Sequence, residues 1–253
     1  MAFRPQAPRA GQEASDRPPL LTDVVYTRLK NEIIACRLAP GSEVTESALC
    51  DAYRVSKAPL RAALARLTQD GLVRPIPRHG YVVAPITLKS VQDMYTLRMV
   101  VEPAIVRLAT GHVDVALLKR INSDPGKSKG KDAELRFLDS NREFHSAIAR
   151  ATANERMIAL SLQLMDDMAR LIHVGLFSSN WRHGAMQGEH RSAAKEHADI
   201  IEALALGDAE AAERAARAHV ESSRELVLKA ILAQDSPTIG RVPSRSRKRQ
   251  IRA

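Results

Sequence analysis

Three histidines and one asparagine carry the strongest hint of chemistry in this chain. Asn141 and His145 stand four residues apart, which places both on one face of a helix. His197 and His219 lie on either side of Gly207-Asp208, a helix-breaking pair. If that pair joins two antiparallel helices, each histidine sits roughly ten residues, about 15 Å, from the break, so the two reach similar heights. Three imidazoles and one side-chain oxygen converging inside a bundle suit a borderline divalent metal, zinc first, with nickel or manganese admissible. The plainer alternative is a purely structural cluster of hydrogen-bonded core histidines. An enzyme using such a metal to activate water is a third reading. Against it, no general base is fixed near the site by spacing: Glu196 adjoins His197 but points about 100° off its face. Gly126-Lys127-Ser128 resembles the end of a phosphate-binding loop. Position 121 is Ile rather than the required Gly, and no strand precedes it, so nucleotide binding is rejected.

The elements that would hold these groups are helical. From Thr87 to about Gln234 the apolar positions are filled by Ala, Leu, Ile, Val and Met at helical spacing. Six helices are expected: about Leu88–Thr110, Val115–Asn122, Lys131–Ala151, Asn154–Phe177, Gly184–Leu206 and Ala209–Ala233. Ser123–Gly130 reads as a polar loop. His183 and His190 share a heptad-spaced face with His197, but two exposed histidines beside a glycine-containing stretch are expected, and Trp181 is expected to anchor that stretch by packing. Arg98 with Glu102 one turn later reads as a surface ion pair.

Residues 42–83 point to a second activity. Thr45 or Ser47 can cap a helix carrying Ala48, Leu49 and Ala52, and a break follows at Arg54–Val55. Ser56 can cap a second helix with Leu60, Ala63, Leu64 and Leu67 on its inner face, stopped by Gly71. Two short strands, Leu72-Val73 and Tyr81–Val83, flank a turn at Pro75–Gly80. This is the pattern of a winged helix-turn-helix. Ser56, Lys57, Arg61 and Arg66 on the second helix, with Arg78, His79 and Gly80 at the wing tip, can meet one DNA duplex, the helix in the major groove.

Charge distribution agrees. Residues 20–86 carry nine Lys/Arg against six Asp/Glu; residues 87–240 carry twenty against twenty-one; residues 241–253 hold six basic residues and no acid. Only one end of the protein therefore addresses nucleic acid, with the basic tail as a possible phosphate-touching arm. The expected organisation is mainly α: a disordered segment at 1–18, a winged helix-turn-helix domain at 19–86, an antiparallel bundle of about six helices at 87–234, and a disordered basic tail at 235–253. No apolar run suits a signal peptide or a membrane span, so a cytoplasmic protein is expected. Cys36 and Cys50 read as small core residues of helices, not as a disulfide.

The first domain resembles the amino-terminal domain of GntR-type regulators through Leu38–Gly41, Val55–Leu60 with Arg61, Ala63-Leu64 and Leu67, Asp70-Gly71-Leu72, and His79-Gly80. Lys57 stands where that family usually has Arg, a point charge suited to phosphate contact, and Ala62 where it usually has Glu. Residues 87–233 resemble the FCD effector domain of the FadR branch, through Leu97-Arg98 with Glu102, Asn141 with Phe144-His145, Asn154, Glu196-His197, Gly207-Asp208 and His219. The resemblance implies a homodimeric regulator, a repressor by expectation, that reads an inverted-repeat operator. It maps the metal ligands onto Asn141, His145, His197 and His219, the first commonly Asp in the family. It also turns Arg98 into the cavity, toward the carboxylate of a small effector acid.

Overall fold

The computed structural model describes residues 20–123, 131–177, 183–232 and 238–239, and omits the side chains of 131–135, 175–177, 183–191, 230–232 and 238–239. The amino-terminal segment, most of the basic tail, Gly126-Lys127-Ser128 and Trp181 lie outside these residues, as do the side chains of His183 and His190.

In the first domain, α1 (Leu21–Ile34) packs Val25, Leu29 and Ile33 against Leu60, Ala63, Leu64 and Leu67 of α3 (Lys57–Gln69). The helix between them, α2 (Glu46–Tyr53), starts at Thr45, whose hydroxyl accepts from the Ala48 amide, and ends at Arg54 in the left-handed conformation. Ser56 occupies the N-cap position of α3, but its side chain makes no cap hydrogen bond. The wing is larger than the sequence suggests. Strands β2 (Val73–Ile76) and β3 (Gly80–Val83) pair antiparallel, and a two-residue strand, β1 (Glu43–Val44), adds to the far side of β3. Pro75 therefore sits within β2 rather than in the turn, and an edge strand tolerates it because one side of its ladder is unpaired. Gly80, at φ +110, could not be another residue: a Cβ there would lie 2.4 Å from the Val44 carbonyl oxygen. Cys36 is not helical either. It follows α1 at φ 53 and is buried against the second domain, its thiol 3.5 Å from the Arg170 carbonyl oxygen.

Strand β4 (Ile86–Thr87) leads into α4 (Leu88–Ala109), which opens with a reciprocal Thr87–Ser90 capping box. Its partner strand, β5 (Thr238–Ile239), lies in the region expected to be a disordered tail. The bundle continues with α5 (Val115–Asn122), α6 (Lys131–Ala151), α7 (Glu155–Phe177), α8 (His183–Ala205) and α9 (Ala209–Leu232). Asn154 and Asp208 accept backbone N–H groups at the starts of α7 and α9, and Gly207 supplies the left-handed turn between α8 and α9. Pro103 interrupts α4 and frees the Met99 carbonyl. Arg217 of α9 donates to that carbonyl at 3.3 Å, tying together the two helices that carry Arg98 and His219. Among the described residues, no helix is long and apolar enough to cross a membrane.

The domains meet along α1 and α7. Asp166, buried on α7, receives Lys30 of α1 at 2.9 Å and also pairs with Arg142 of α6. Arg170, one turn on, donates to the Ala84 carbonyl at 2.5 Å.

Candidate metal centre and DNA interface

The helical break at Gly207 does what the spacing requires. His197 of α8 and His219 of α9 stand with ring centroids 4.8 Å apart, and His145 of α6 lies 5.3 Å and 5.4 Å from them. One nitrogen from each of the three falls within 4.8 Å of the others, and all three residues are buried. Phe144, fully buried, stacks on His197 at 3.9 Å and fixes that ring from behind.

Each remaining nitrogen tells whether the cluster is merely packed. His219 Nδ1 meets Glu196 Oε2 at 2.8 Å, and His145 Nδ1 lies 3.5 Å from Glu102 Oε2. The Nε2 atoms of His145 and His197 are buried and have no hydrogen-bond partner. Two orphaned imidazole nitrogens are costly in a core of this kind, since buried polar groups are otherwise paired. They fit a metal, which takes the neutral ring nitrogen while a carboxylate orients the opposite one. Burial first, and then neighbouring His219 and Arg98, hold His145 well below the usual imidazole range. Burial, His219, His145 and Arg98 do the same to His197. Both rings are therefore neutral near pH 7, the state that ligates.

Glu196 is the residue whose role the sequence hides. Its displacement from the face of His197 is what carries it across to α9. There it also accepts from Ser222 at 2.7 Å, and from Ser192 of its own helix at 3.0 Å. Burial works to raise its pKa, but the hydrogen bonds from His219, Ser222 and Ser192 hold it below the usual carboxylate range. It is committed to orienting His219, which leaves no free base beside the histidines among the described residues of that helix.

Arg98 and Glu102 form an ion pair as expected, but not at the surface: their side chains are 1% and 5% exposed. Glu102 meets the guanidinium through both oxygens and reaches toward His145, so a single carboxylate links the cation to the histidine cluster. The Met168 sulfur lies 3.0 Å from Arg98 Nη1. Asn141 lies one turn before His145 and lines the same cavity as Arg98 and His219. Its amide nitrogen is 3.7 Å from the Met165 sulfur.

On the reader, Ser56, Lys57, Arg61, Arg78 and His79 are exposed, on α3 and the wing tip. Arg61 is clamped by Glu46 from the start of α2, with Nε at 3.0 and 2.9 Å from the two carboxylate oxygens. Arg66 is exposed but turned toward α1. It pairs with Asp23 at 2.5 Å and lies over the Tyr26 ring at 4.0 Å, so its cation supports the reader's own packing. Gly80 contributes by letting the wing approach β1, as its missing Cβ requires.

Comparison with known proteins agrees with both halves. Residues 21–83 match bacterial regulatory proteins of the gntR family, and residues 93–222 match the FCD domain. A relative in Bacillus subtilis strain 168, the uncharacterized HTH-type transcriptional regulator YdhC, is 24% identical over 208 residues, covering 81% of this chain and 89% of its own. The HTH-type transcriptional repressor RspR of Escherichia coli K12 is 22% identical over 210 residues, covering 80% and 87%. A solved GntR-type regulator from Rhodococcus sp. RHA1 superposes with a TM-score of 0.66 at 25% identity, covering 83% of this chain and 98% of that one. With its gntR-type reader and an FCD domain spanning more than half its length, the chain belongs to the GntR family in its FadR-like architecture, and is a DNA-binding transcriptional regulator rather than an enzyme.

Proposed function

We propose that this regulator is a homodimeric repressor released from an inverted-repeat operator by a small organic acid, bound beside a divalent metal in the helical domain. The observation that carries the proposal is the pair of orphaned nitrogens on His145 and His197, facing His219 next to a cavity that Arg98 lines. His145, His197 and His219 would hold the ion, with the Asn141 carbonyl oxygen as a fourth ligand; zinc suits three imidazoles best. The ion would supply a positive charge and open positions for one carboxylate oxygen, while Arg98 would donate a charge-assisted hydrogen bond to the other. On the reader, Ser56, Lys57 and Arg61 would enter the major groove, with Arg78 and His79 at the wing. Repression is supported by the name of the relative RspR. Two subunits follow from the geometry of helix-turn-helix readers, whose half-sites lie one helical turn apart.

The test is elemental analysis of chain purified without chelator, then gel-shift titration of its promoter with and without a panel of organic acids. One zinc per subunit, lost in His197→Ala together with the acid response but not with DNA binding, is the expected result. Metal-free protein whose melting temperature does not move on adding zinc would reduce the cluster to core histidines.

A further inference from the structure

The cavity beside the histidines says which acid it can take. It measures about 60 Å³, where one water needs roughly 10–15 Å³, so it has room for about four to six water-sized groups. Its lining changes character in one direction along three helices. On α6, Phe137 lies one turn beyond Asn141, away from His145; on α7, Ile172 lies one turn beyond Met168; on α9, Leu226 and Val227 lie about two turns beyond His219. The polar end therefore faces the histidines and Arg98, and the far end is apolar.

Charge narrows the choice further. Glu102 offsets Arg98, and Glu196 offsets one of the two charges of a divalent ion, so one positive charge remains for an effector. A second carboxylate would sit among Phe137, Ile172 and Leu226, and among the described lining residues no cation other than Arg98 could receive it. The three serines of the lining are also engaged: Ser192 and Ser222 donate to Glu196, and Ser223 Oγ is 2.8 Å from the Tyr95 hydroxyl. The hydroxyl protons of Ser192 and Ser222 are spent on Glu196 and are not available to the hydroxyls of a sugar acid.

We infer that the effector is a short aliphatic monocarboxylate, its carboxylate at the histidine end and its alkyl group against Phe137, Ile172 and Leu226. This rests on the effector reading proposed above. The experiment titrates the full-length, zinc-loaded chain by calorimetry with butanoate, butanedioate, gluconate and butanamide. The monocarboxylate should bind tighter than either other acid by about tenfold or more, and the uncharged amide should give no heat. Leu226→Arg, at the rim of the cavity where Leu226 is 36% exposed, should reverse the order by giving butanedioate a second cation. If butanedioate or gluconate binds the native chain as tightly as butanoate, and the double variant Arg98→Met, Glu102→Ala, which leaves no stranded charge, abolishes that binding, the effector reading stands and the monocarboxylate inference is overturned. If no acid binds, both are overturned.

Discussion

Two guanidinium–carboxylate pairs, one in each half of the molecule, are made of the same groups and differ in their solvent. Arg61 and Glu46 in the reader are 62% and 24% exposed; Arg98 and Glu102 in the bundle are 1% and 5% exposed. Water screens the first, and pairs of that kind contribute about 0–1 kcal/mol. Glu46 can therefore yield Arg61 to a phosphate or a base edge at small cost while keeping the side chain aimed in the meantime. Nothing screens the second. There, removing one partner strands a charge in the interior, at a cost of about 3–5 kcal/mol. The lesson is that the reader keeps its cation available by exposure, whereas the bundle keeps its cation in place by burial.

The most severe way to break this comparison is Glu102→Ala. Stability should fall by about 3–5 kcal/mol in urea denaturation, and Arg98→Met in the same chain should recover most of the loss. A loss below about 1 kcal/mol would show that water reaches the pair after all.

Acid should come next, acting on the bundle and sparing the reader. Burial pushes His145 and His197 well below 6.5, and burial with the nearby Arg37 lowers His173 of α7. In metal-stripped chain the unfolded state then takes up protons that the folded state refuses. Stability should hold above pH 6.5, decline as pH falls through it, and level off once these rings protonate in the folded protein. Melting curves from pH 8 to pH 5 that run flat would count against neutral buried rings.

Arg61→Ala should leave the fold within about 1 kcal/mol of the parent, yet weaken specific operator binding by about 1–3 kcal/mol and relax preference at one base pair. Unchanged gel-shift titration on the native promoter would remove Arg61 from base recognition. The mildest change is Glu46→Gln, which keeps shape and removes charge. It should cost under about 1 kcal/mol of stability and leave sequence preference in place, with only the salt dependence of binding altered.

Much of this was legible beforehand because its signals are local. The bounds of α5 and α6 can be read off Asp114, the apolar period and Ala151, and the α8–α9 turn off Gly207-Asp208. That turn, with the four-residue step from Asn141 to His145, was enough to bring three histidines from distant stretches into one expected cluster. What stayed hidden depends on neighbours across helices. That Arg66 also braces the reader shows only once α1 puts Asp23 and Tyr26 beside it. Glu102 reads as half of a surface pair until α6 and α7 cover it. Strands β1 and β5 are two residues each, too short to carry a period of two, and exist only because β3 and β4 offer them an edge.

Helix α7 stands one element thick between the cavity and the reader. Met165, Met168 and Ile172 meet Asn141, Arg98 and the cavity, while Gln163, Asp166 and Arg170 hold Asp70, Lys30 and Ala84 of the reader. The separation is a helix diameter, about 10–12 Å. Alternating along one short stretch of sequence, the two sets occupy different sides of the same cylinder and can drift independently. Descendants of this protein could come to sense a new acid by changing one side of α7, with no loss of grip on their DNA.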